Sequence, residues 1–213
     1  MSTDDLIARL GASTTARRPP RVGLLLAVAA AVGVLAALAL AMAIWGPRHD
    51  LGHAVGSMRF WMKAGYALAL AAAGLIALER LGRPGERAPI GMTLAGLAIL
   101  AVLGLAAHEL MILPRGAWMP VLKGHSWQVC SLNIAALSLP GFLAALWALR
   151  QMAPTRPRLA GAAAGLMAGG LGAAAYGMAC NETAVSFLAS WYSLGMLAWA
   201  AVGALIGPRL LRW

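Results

Sequence analysis

Six apolar runs dominate the chain and limit the folds that are open to it. They cover about 22–45, 60–79, 89–113, 130–150, 157–179 and 184–207. At about 1.5 Å per residue, a helix of roughly 20 residues crosses a bilayer core of about 30 Å. A helix also satisfies its own backbone hydrogen bonds, which a lipid-facing segment requires. The sequence therefore predicts an all-α fold, a polytopic bundle of six transmembrane helices.

Composition agrees with a membrane protein and argues against a nucleic-acid-binding one. Hydrophobic residues make up 61% of the chain and charged residues only 11%. A water-soluble domain of this length does not need so much apolar surface. The formal net charge is +10, but the basic residues are scattered between the apolar runs. No compact basic face with interleaved aromatic residues is present, so direct binding of nucleic acid is not predicted.

The basic residues also predict an orientation. With the N-terminus inside, twelve of the seventeen lysines and arginines fall in inner segments. Positive charge collects on the cytoplasmic side, so we expect both termini in the cytoplasm. The run 22–45 is too long for a signal-peptide core of about 7–15 residues, and we interpret it as a retained helix. The predicted organisation is a short cytoplasmic segment, 1–21, followed by a transmembrane domain, 22–213.

The N-terminal segment contains one candidate partner-binding element. Ser2 or Thr3 can cap a short helix whose first turn carries acidic residues, which the helix dipole favours. Apolar side chains then fall on one face. The candidate contact residues are Asp4, Asp5, Leu6, Ile7 and Leu10. This segment is either a frayed tail or a small amphipathic helix that docks into a partner's groove.

The fifth run has a stripe of small residues at four-residue spacing. The stripe consists of Gly161, Gly165, Gly169, Ala173 and Gly177. Small residues on one face allow helices to approach closely. We expect tight packing here, within the bundle or in a homo-oligomer, and assign the stripe no chemistry.

Two cysteines are the main candidates for chemistry. Cys130 begins the fourth run and Cys180 ends the fifth. The two runs have similar lengths and are joined by a tight inner turn, so both cysteines should lie at the outer surface, near each other. Neighbouring helix axes are about 8–10 Å apart, whereas a disulfide needs Cα atoms within about 7 Å. A bridge is therefore compatible with the pattern but not required by it.

Other metal-capable side chains lie at a similar depth. These candidate ligands or polar supports are His125, Glu182, His108 and Glu109. Thiolate and imidazole suit soft or borderline ions, so Cys130, Cys180 and His125 form the candidate metal set. No CxxC or HxxxH spacing is present. Packing, a redox pair and a metal site all remain open for the cysteines at this point.

Common enzyme motifs are absent from the sequence. It contains no phosphate-binding glycine loop, no HExxH and no GxSxG, so we do not predict an enzyme. His49 and His53 are four residues apart, but Gly46, Pro47 and Gly52 argue against a helix there. We interpret both histidines as solvated loop residues.

The chain resembles the NrsF-type membrane anti-sigma factors along nearly its whole length. The motifs that carry the resemblance, in order, are Asp4-Asp5-Leu6-Ile7 with Leu10, Gly124-His125-Ser126-Trp127 leading to Cys130, Ser138-Leu139-Pro140, Ala153-Pro154-Thr155-Arg156-Pro157, Cys180-Asn181-Glu182-Thr183, Trp191-Tyr192-Ser193-Leu194-Gly195 and Gly207-Pro208-Arg209. Their order and spacing make the resemblance specific.

The resemblance implies a function. Such proteins hold an extracytoplasmic-function sigma factor at the bacterial inner membrane and release it under heavy-metal or oxidative stress. Cys130 and Cys180 match the family's proposed sensing cysteines. No cofactor is required, and transient binding of a heavy-metal ion at the cysteines (zinc, copper, cadmium or chromate-type stress) stays open. The N-terminal segment is the natural sigma-binding part. It is very short for an anti-sigma domain, which leaves open whether inner loops 80–88 and 150–157 share the contact. The alternative is a membrane thiol oxidoreductase or metal-handling protein that uses the same pair.

Overall fold

The computed structural model describes residues 3–5, 7 and 22–211, and this part of the chain is helical without strands. The six long helices are α1 Val22–Ile44, α2 Met58–Leu81, α3 Pro89–Ile112, α4 Trp127–Arg150, α5 Pro157–Gly177 and α6 Val185–Leu210. Each is long and apolar enough to cross a membrane. The predicted six-helix, all-α architecture is confirmed to this extent, and every boundary lies within three residues of its expected position.

Local sequence signals set several helix starts. The Ser57 hydroxyl caps α2 by accepting a hydrogen bond from the Phe60 amide at 3.3 Å. Pro89 and Pro157 occupy the first positions of α3 and α5. Proline suits this position because the first amides of a helix have no partner within the helix.

Helix α5 is the centre of the bundle and the most buried of the six helices. It packs against α1, α2, α4 and α6, whereas α3 lies at the edge against α2 and the first turns of α6. Gly161, Gly165 and Gly169 bring α5 against the backbone of α6. The close packing predicted for this stripe is confirmed at these three positions.

Glycines on two other faces of α5 contact further helices. Gly170 lies against the backbone of α2 at Ala67 and Ala71, and Gly172 lies against Ser138 of α4. Backbone-to-backbone contact on three sides leaves α5 little freedom to move independently of its neighbours.

The connections gather at two ends of the bundle. The cysteine end contains residues 45–57, 113–126 and 178–184, and the opposite end contains 82–88 and 151–156. Loops at each end touch: the Arg48 amide donates to the Met178 carbonyl at 3.3 Å, and the Gly85 amide donates to the Thr155 hydroxyl at 3.2 Å.

Two stretches expected to be loops contain short helices. Arg115–Ala117 and Trp118–Lys123 are helical, and α4 begins at Trp127. Leu51–Val55 also forms a helix despite its glycine, and its Ala54 is buried. Tertiary packing therefore overrides local propensity in this loop. His49 and His53 are exposed, as expected.

The N-terminal prediction lies largely outside the described residues. Thr3–Asp5 and Ile7 are helical and exposed. Leu6 and Leu10, the other apolar candidates, fall outside the described part of the chain.

Candidate thiol site

The two cysteines meet inside the cysteine end. Cys130 lies in the first turn of α4, where its amide donates to the Ser126 carbonyl at 2.9 Å. Cys180 lies three residues beyond α5, and its amide donates to the Tyr176 carbonyl at 2.9 Å. Both are free thiols, and their side chains interact directly. The predicted proximity of the pair is confirmed.

Both cysteines are buried, although they lie at the end of the bundle. Cys130 is 0% exposed and Cys180 is 5% exposed. Both belong to an apolar cluster that also contains Tyr176, Phe187 and Tyr192. The short helices and the 178–184 connection fold over the helix ends, so residues at the end of the bundle lie beneath a protein cover.

Lys63 of α2 places a buried positive charge beside the pair. Its side chain is 7% exposed, and its Nζ donates to the carbonyls of Cys180 at 3.0 Å and Glu182 at 3.1 Å. The same Nζ lies 4.8 Å from the centre of the Tyr192 ring. Within residues 22–211 no carboxylate lies at ion-pair distance from Lys63. Its charge is therefore balanced by carbonyl and aromatic groups next to the thiols.

Tyr192 covers the pair from α6. It ends the π-helical turn Leu188–Tyr192, whose extra residue per turn reorients the side chains on this helix. Its hydroxyl is completely buried and has no nitrogen or oxygen hydrogen-bond partner in the described part of the chain. It lies beside the Cys180 thiol, a weak acceptor.

The surroundings favour negative charge on Cys180, which lies in the connection outside the helices. The hydrogen bond from the Cys130 thiol lowers the pKa of Cys180 below its ordinary value despite burial, and the nearby Lys63 ammonium lowers the pKa further. Because the thiolate is the nucleophile and the metal ligand, this environment favours reactivity at Cys180.

Glu182 ties two connections together at the cysteine end. Its Oε1 accepts hydrogen bonds from the amides of His125 at 2.7 Å and Ser126 at 3.1 Å, and from the Ser126 hydroxyl at 3.3 Å. Gly124 has a φ of +55°, and a side chain there would meet Glu182 and Phe187. The structure therefore brings His125 and Glu182 together, mainly through the His125 amide. The exposed imidazole also lies near the carboxylate, with its Nδ1 3.8 Å from Glu182 Oε1.

Glu109 performs a similar role at the edge helix. Its carboxylate accepts from the Ser186 amide at 2.7 Å, the Ser186 hydroxyl at 2.6 Å and the Val185 amide at 3.3 Å. These groups open α6, so the carboxylate caps that helix and anchors α3 to it. His108 is exposed on α3.

The predicted metal set is only partly assembled. Across the described ranges no three His, Cys, Asp or Glu side chains lie close enough to hold one ion. Cys130 and Cys180 are adjacent, whereas the His125 imidazole does not join them. The site therefore combines a dithiol with the Lys63 ammonium and the Tyr192 phenol.

Two cavities lie beside Lys63 at the cysteine end, and neither cysteine is among the described residues that line them. An open vestibule of about 220 Å³ lies between the first connection and residues 182–183, and a narrow cavity of about 10 Å³ reaches Tyr192. Residues that line both are Arg59, Lys63, Glu182 and Thr183. Arg48 borders the vestibule, pairs with Asp50 at 2.6 Å and donates to the Cys180 carbonyl at 3.4 Å.

Sequence reasoning missed Lys63 and Tyr192 as members of this site. In the sequence, Lys63 counts only as one of the five basic residues that fall outside the inner segments. A signal was available, because an ionisable residue inside an apolar run is a functional candidate. Tyr192 carries no comparable signal, since its orientation depends on the π-helical turn.

The fold and the site define a class: a helical protein with six apolar, membrane-length helices and a buried thiol pair at one end. Comparison with known proteins is more specific. The chain belongs to the NrsF family, described as "Negative regulator of sigma F", whose model matches residues 10–213. The motif-based recognition of this family is confirmed.

Two curated relatives match over their full length. The probable anti-sigma-F factor NrsF of Azospira oryzae is 41% identical over 213 residues, covering 100% of both chains. The anti-sigma-F factor NrsF of Caulobacter vibrioides is 43% identical over 217 residues, again covering 100% of both chains. No solved structure matches the chain.

Proposed function

We propose that this chain is a membrane-bound anti-sigma factor that sequesters an extracytoplasmic-function sigma factor at the bacterial inner membrane. Support comes from the family match over residues 10–213 and from two full-length relatives named as anti-sigma-F factors. Its role is regulatory rather than catalytic. Both termini and the opposite end of the bundle face the cytoplasm, in line with the distribution of basic residues.

The sigma factor binds the N-terminal segment in this proposal, with loops 80–88 and 150–157 adding contacts. Thr3–Asp5 and Ile7 are exposed and helical, which suits a short docking element. At the opposite end the Gly85 amide is linked to Thr155, so the two loops form one surface.

The observation that carries the sensing role is the direct contact of Cys130 with Cys180, fifty positions apart in sequence. Thiols that are neighbours in the fold can be joined in one disulfide, so an oxidant can act on them as a unit. Release then requires that the sigma factor bind the dithiol state more tightly than the disulfide state, since coupling depends on differential affinity.

Co-purification tests the sigma-binding part. The intact chain and a variant lacking residues 2–18 are each produced with the candidate sigma factor and isolated in detergent. Retention by the intact chain and loss on truncation support an N-terminal contact. Retention by both assigns the contact to the loops, and retention by neither contradicts the anti-sigma assignment for that sigma factor.

A double substitution tests the sensing part. We expect C130S/C180S to retain the sigma factor but to lose induction of a sigma-dependent reporter by peroxide. Cd²⁺, tested separately, shows whether a thiophilic ion uses the same pair. Gly116→Ala, in the 113–126 connection at the same end, serves as a control for general damage because nothing lies within 4 Å of the position of its missing Cβ. Normal induction in the double variant would refute the sensor assignment.

A further inference from the structure

We propose that the thiol pair is asymmetric: Cys180 reacts first with a peroxide, Cys130 then closes the disulfide, and Lys63 and Tyr192 are positioning residues for the Cys180 sulfur. This inference rests on the proposed sensing function, which treats the pair as the responsive element. It adds an order of reaction and two residues that neither the family description nor the relatives' names assign.

The placement of Lys63 is the first observation. A buried ammonium without a carboxylate partner is unfavourable unless other groups balance its charge. Lys63 is held by the carbonyls of Cys180 and Glu182, and both cysteine side chains lie within its electrostatic influence. The Glu182 carboxylate is committed to the His125 and Ser126 amides. The groups near Lys63 that can still become negative are the thiols and the Tyr192 phenol. A thiol ordinarily loses its proton at a lower pH than a phenol, so the negative group expected there is a sulfur.

The unpartnered hydroxyl of Tyr192 is an independent observation. It is completely buried, it has no nitrogen or oxygen partner among the described residues, and it lies beside the Cys180 sulfur. A thiolate is a stronger acceptor than a thiol, so charge on Cys180 would give this O–H a partner. The lowered pKa of Cys180 agrees with both placements. The charged or titratable groups that face Cys180 are Arg48, Lys63, Cys130, Tyr176, Glu182 and Tyr192.

Residue exposure also differs between the two cysteines, and it favours Cys180 as the first to react. Cys180 retains 5% exposure and Cys130 none. The vestibule reaches Lys63 and Glu182, and the narrow cavity beyond it reaches Tyr192. A space of about 10 Å³ holds about one water-sized molecule, so this cavity excludes a bulky oxidant.

The chemistry balances in two steps. The Cys180 thiolate attacks one oxygen of hydrogen peroxide, the O–O bond breaks, and hydroxide leaves and takes up a proton to form water. Cys180 is then a sulfenic acid. Cys130 loses its proton and attacks that sulfur, the S–S bond forms, and the sulfenic oxygen leaves as a second water. The two thiols lose two electrons, and one peroxide is reduced to two waters.

Single-cysteine variants test the order of reaction. C130S and C180S are purified in detergent and treated with hydrogen peroxide and dimedone, which traps sulfenic acid, and the adducts are quantified by mass spectrometry. We expect Cys180 in C130S to be trapped at least tenfold faster than Cys130 in C180S. The midpoint of the rise in alkylation rate with pH should also lie at a lower pH for Cys180 than for Cys130. Equal rates, or faster trapping of Cys130, would overturn the asymmetry.

Lysine variants test the positioning role. In the C130S background, Lys63→Met should slow trapping at Cys180 at least tenfold near neutral pH and move the alkylation profile to higher pH, while Lys63→Arg should restore much of the rate. Lys123→Met is the matched control, because Lys123 is the other lysine of the chain, lies at the same end and also faces an aromatic ring. Thermal unfolding of each variant identifies a change due to misfolding. Equal effects of Lys63→Met and Lys123→Met would refute the role of Lys63.

The sigma-dependent reporter separates this inference from the proposed function. Preferential trapping at Cys180 without any loss of sigma binding on oxidation would uphold the asymmetry and contradict the sensing function. Loss of induction in C130S/C180S together with equal trapping at the two sulfurs would uphold the sensing function and contradict the asymmetry.

Discussion

The contact between α5 and α6 allows one substitution to be worked out in detail. An alanine Cβ at position 165 would lie 2.7 Å from the Ala200 nitrogen and closer still to the Trp199 carbonyl. Ordinary contacts of a Cβ fall at 3.4–4 Å, and backbone atoms cannot rotate away as a side chain can. Gly165→Ala must therefore push the two helices apart.

The expected loss of stability follows from two opposing effects. Overpacking a well-packed core costs about 1–3 kcal/mol, and a clash with backbone belongs at the upper end of that range. Alanine has a higher helix propensity than glycine, which offsets about 1 kcal/mol. We expect Gly165→Ala to lower the free energy of unfolding by about 2 kcal/mol, measured by reversible unfolding in mixed detergent micelles.

Gly96→Ala is the matched control for this measurement. Gly96 lies in α3, and nothing stands within 4 Å of the position of its missing Cβ. The same chemical change there should leave stability unchanged or raise it by up to about 1 kcal/mol. Equal stability of the two variants would refute the tight packing of α5 against α6.

Three further predictions concern polar contacts. Glu182→Gln weakens the charge-assisted hydrogen bonds of its carboxylate, which should cost about 1–2 kcal/mol and speed amide exchange in its partner loop. The Tyr66 hydroxyl lies 2.7 Å from Ser193 Oγ, so Tyr66→Phe should cost about 1–2 kcal/mol, most of which a double-mutant cycle with Ser193→Ala should assign to this pair. The hydrogen bond from Arg48 lowers the pKa of Asp50, so their interaction stabilises the fold above the ordinary aspartate pKa of about 3.9 and is lost as the pH falls through the lower folded value. When the free energy of unfolding is followed down the pH scale, Asp50→Asn should lack this acid-dependent loss of stability.

Periodicity and length were sufficient to predict the helices and the meeting of the cysteines. A hairpin of two helices of similar length returns its ends to one side, so Cys130 and Cys180 could be placed together without a structure. Their burial could not be predicted, because it depends on how the connections fold over the bundle end. The helix Leu51–Val55 shows the same limit, since burial of Ala54 outweighs the glycine within it.

The roles of the carboxylates also depended on tertiary structure. Glu182 and Glu109 were predicted as ligands or polar supports because of their depth in the sequence pattern. In the structure each accepts hydrogen bonds from backbone amides of another segment. A sequence shows which carboxylates lie near a membrane surface but not which amides lack a partner there.

Helix α5 provides a physical route from the thiol pair to the surface proposed for the sigma factor. Cys180 follows α5 closely, so forming a disulfide constrains that end of the helix. Along its length, glycines place the α5 backbone directly against α6, and at the far end Gly207 of α6 lies against the Pro157 carbonyl. Such contacts cannot adjust by changing side-chain rotamers, so a shift of α5 must be shared by α6 or must open the interface. Gly165→Ala, which loosens this contact, should therefore weaken the effect of peroxide on sigma binding even where the thiols still oxidise normally.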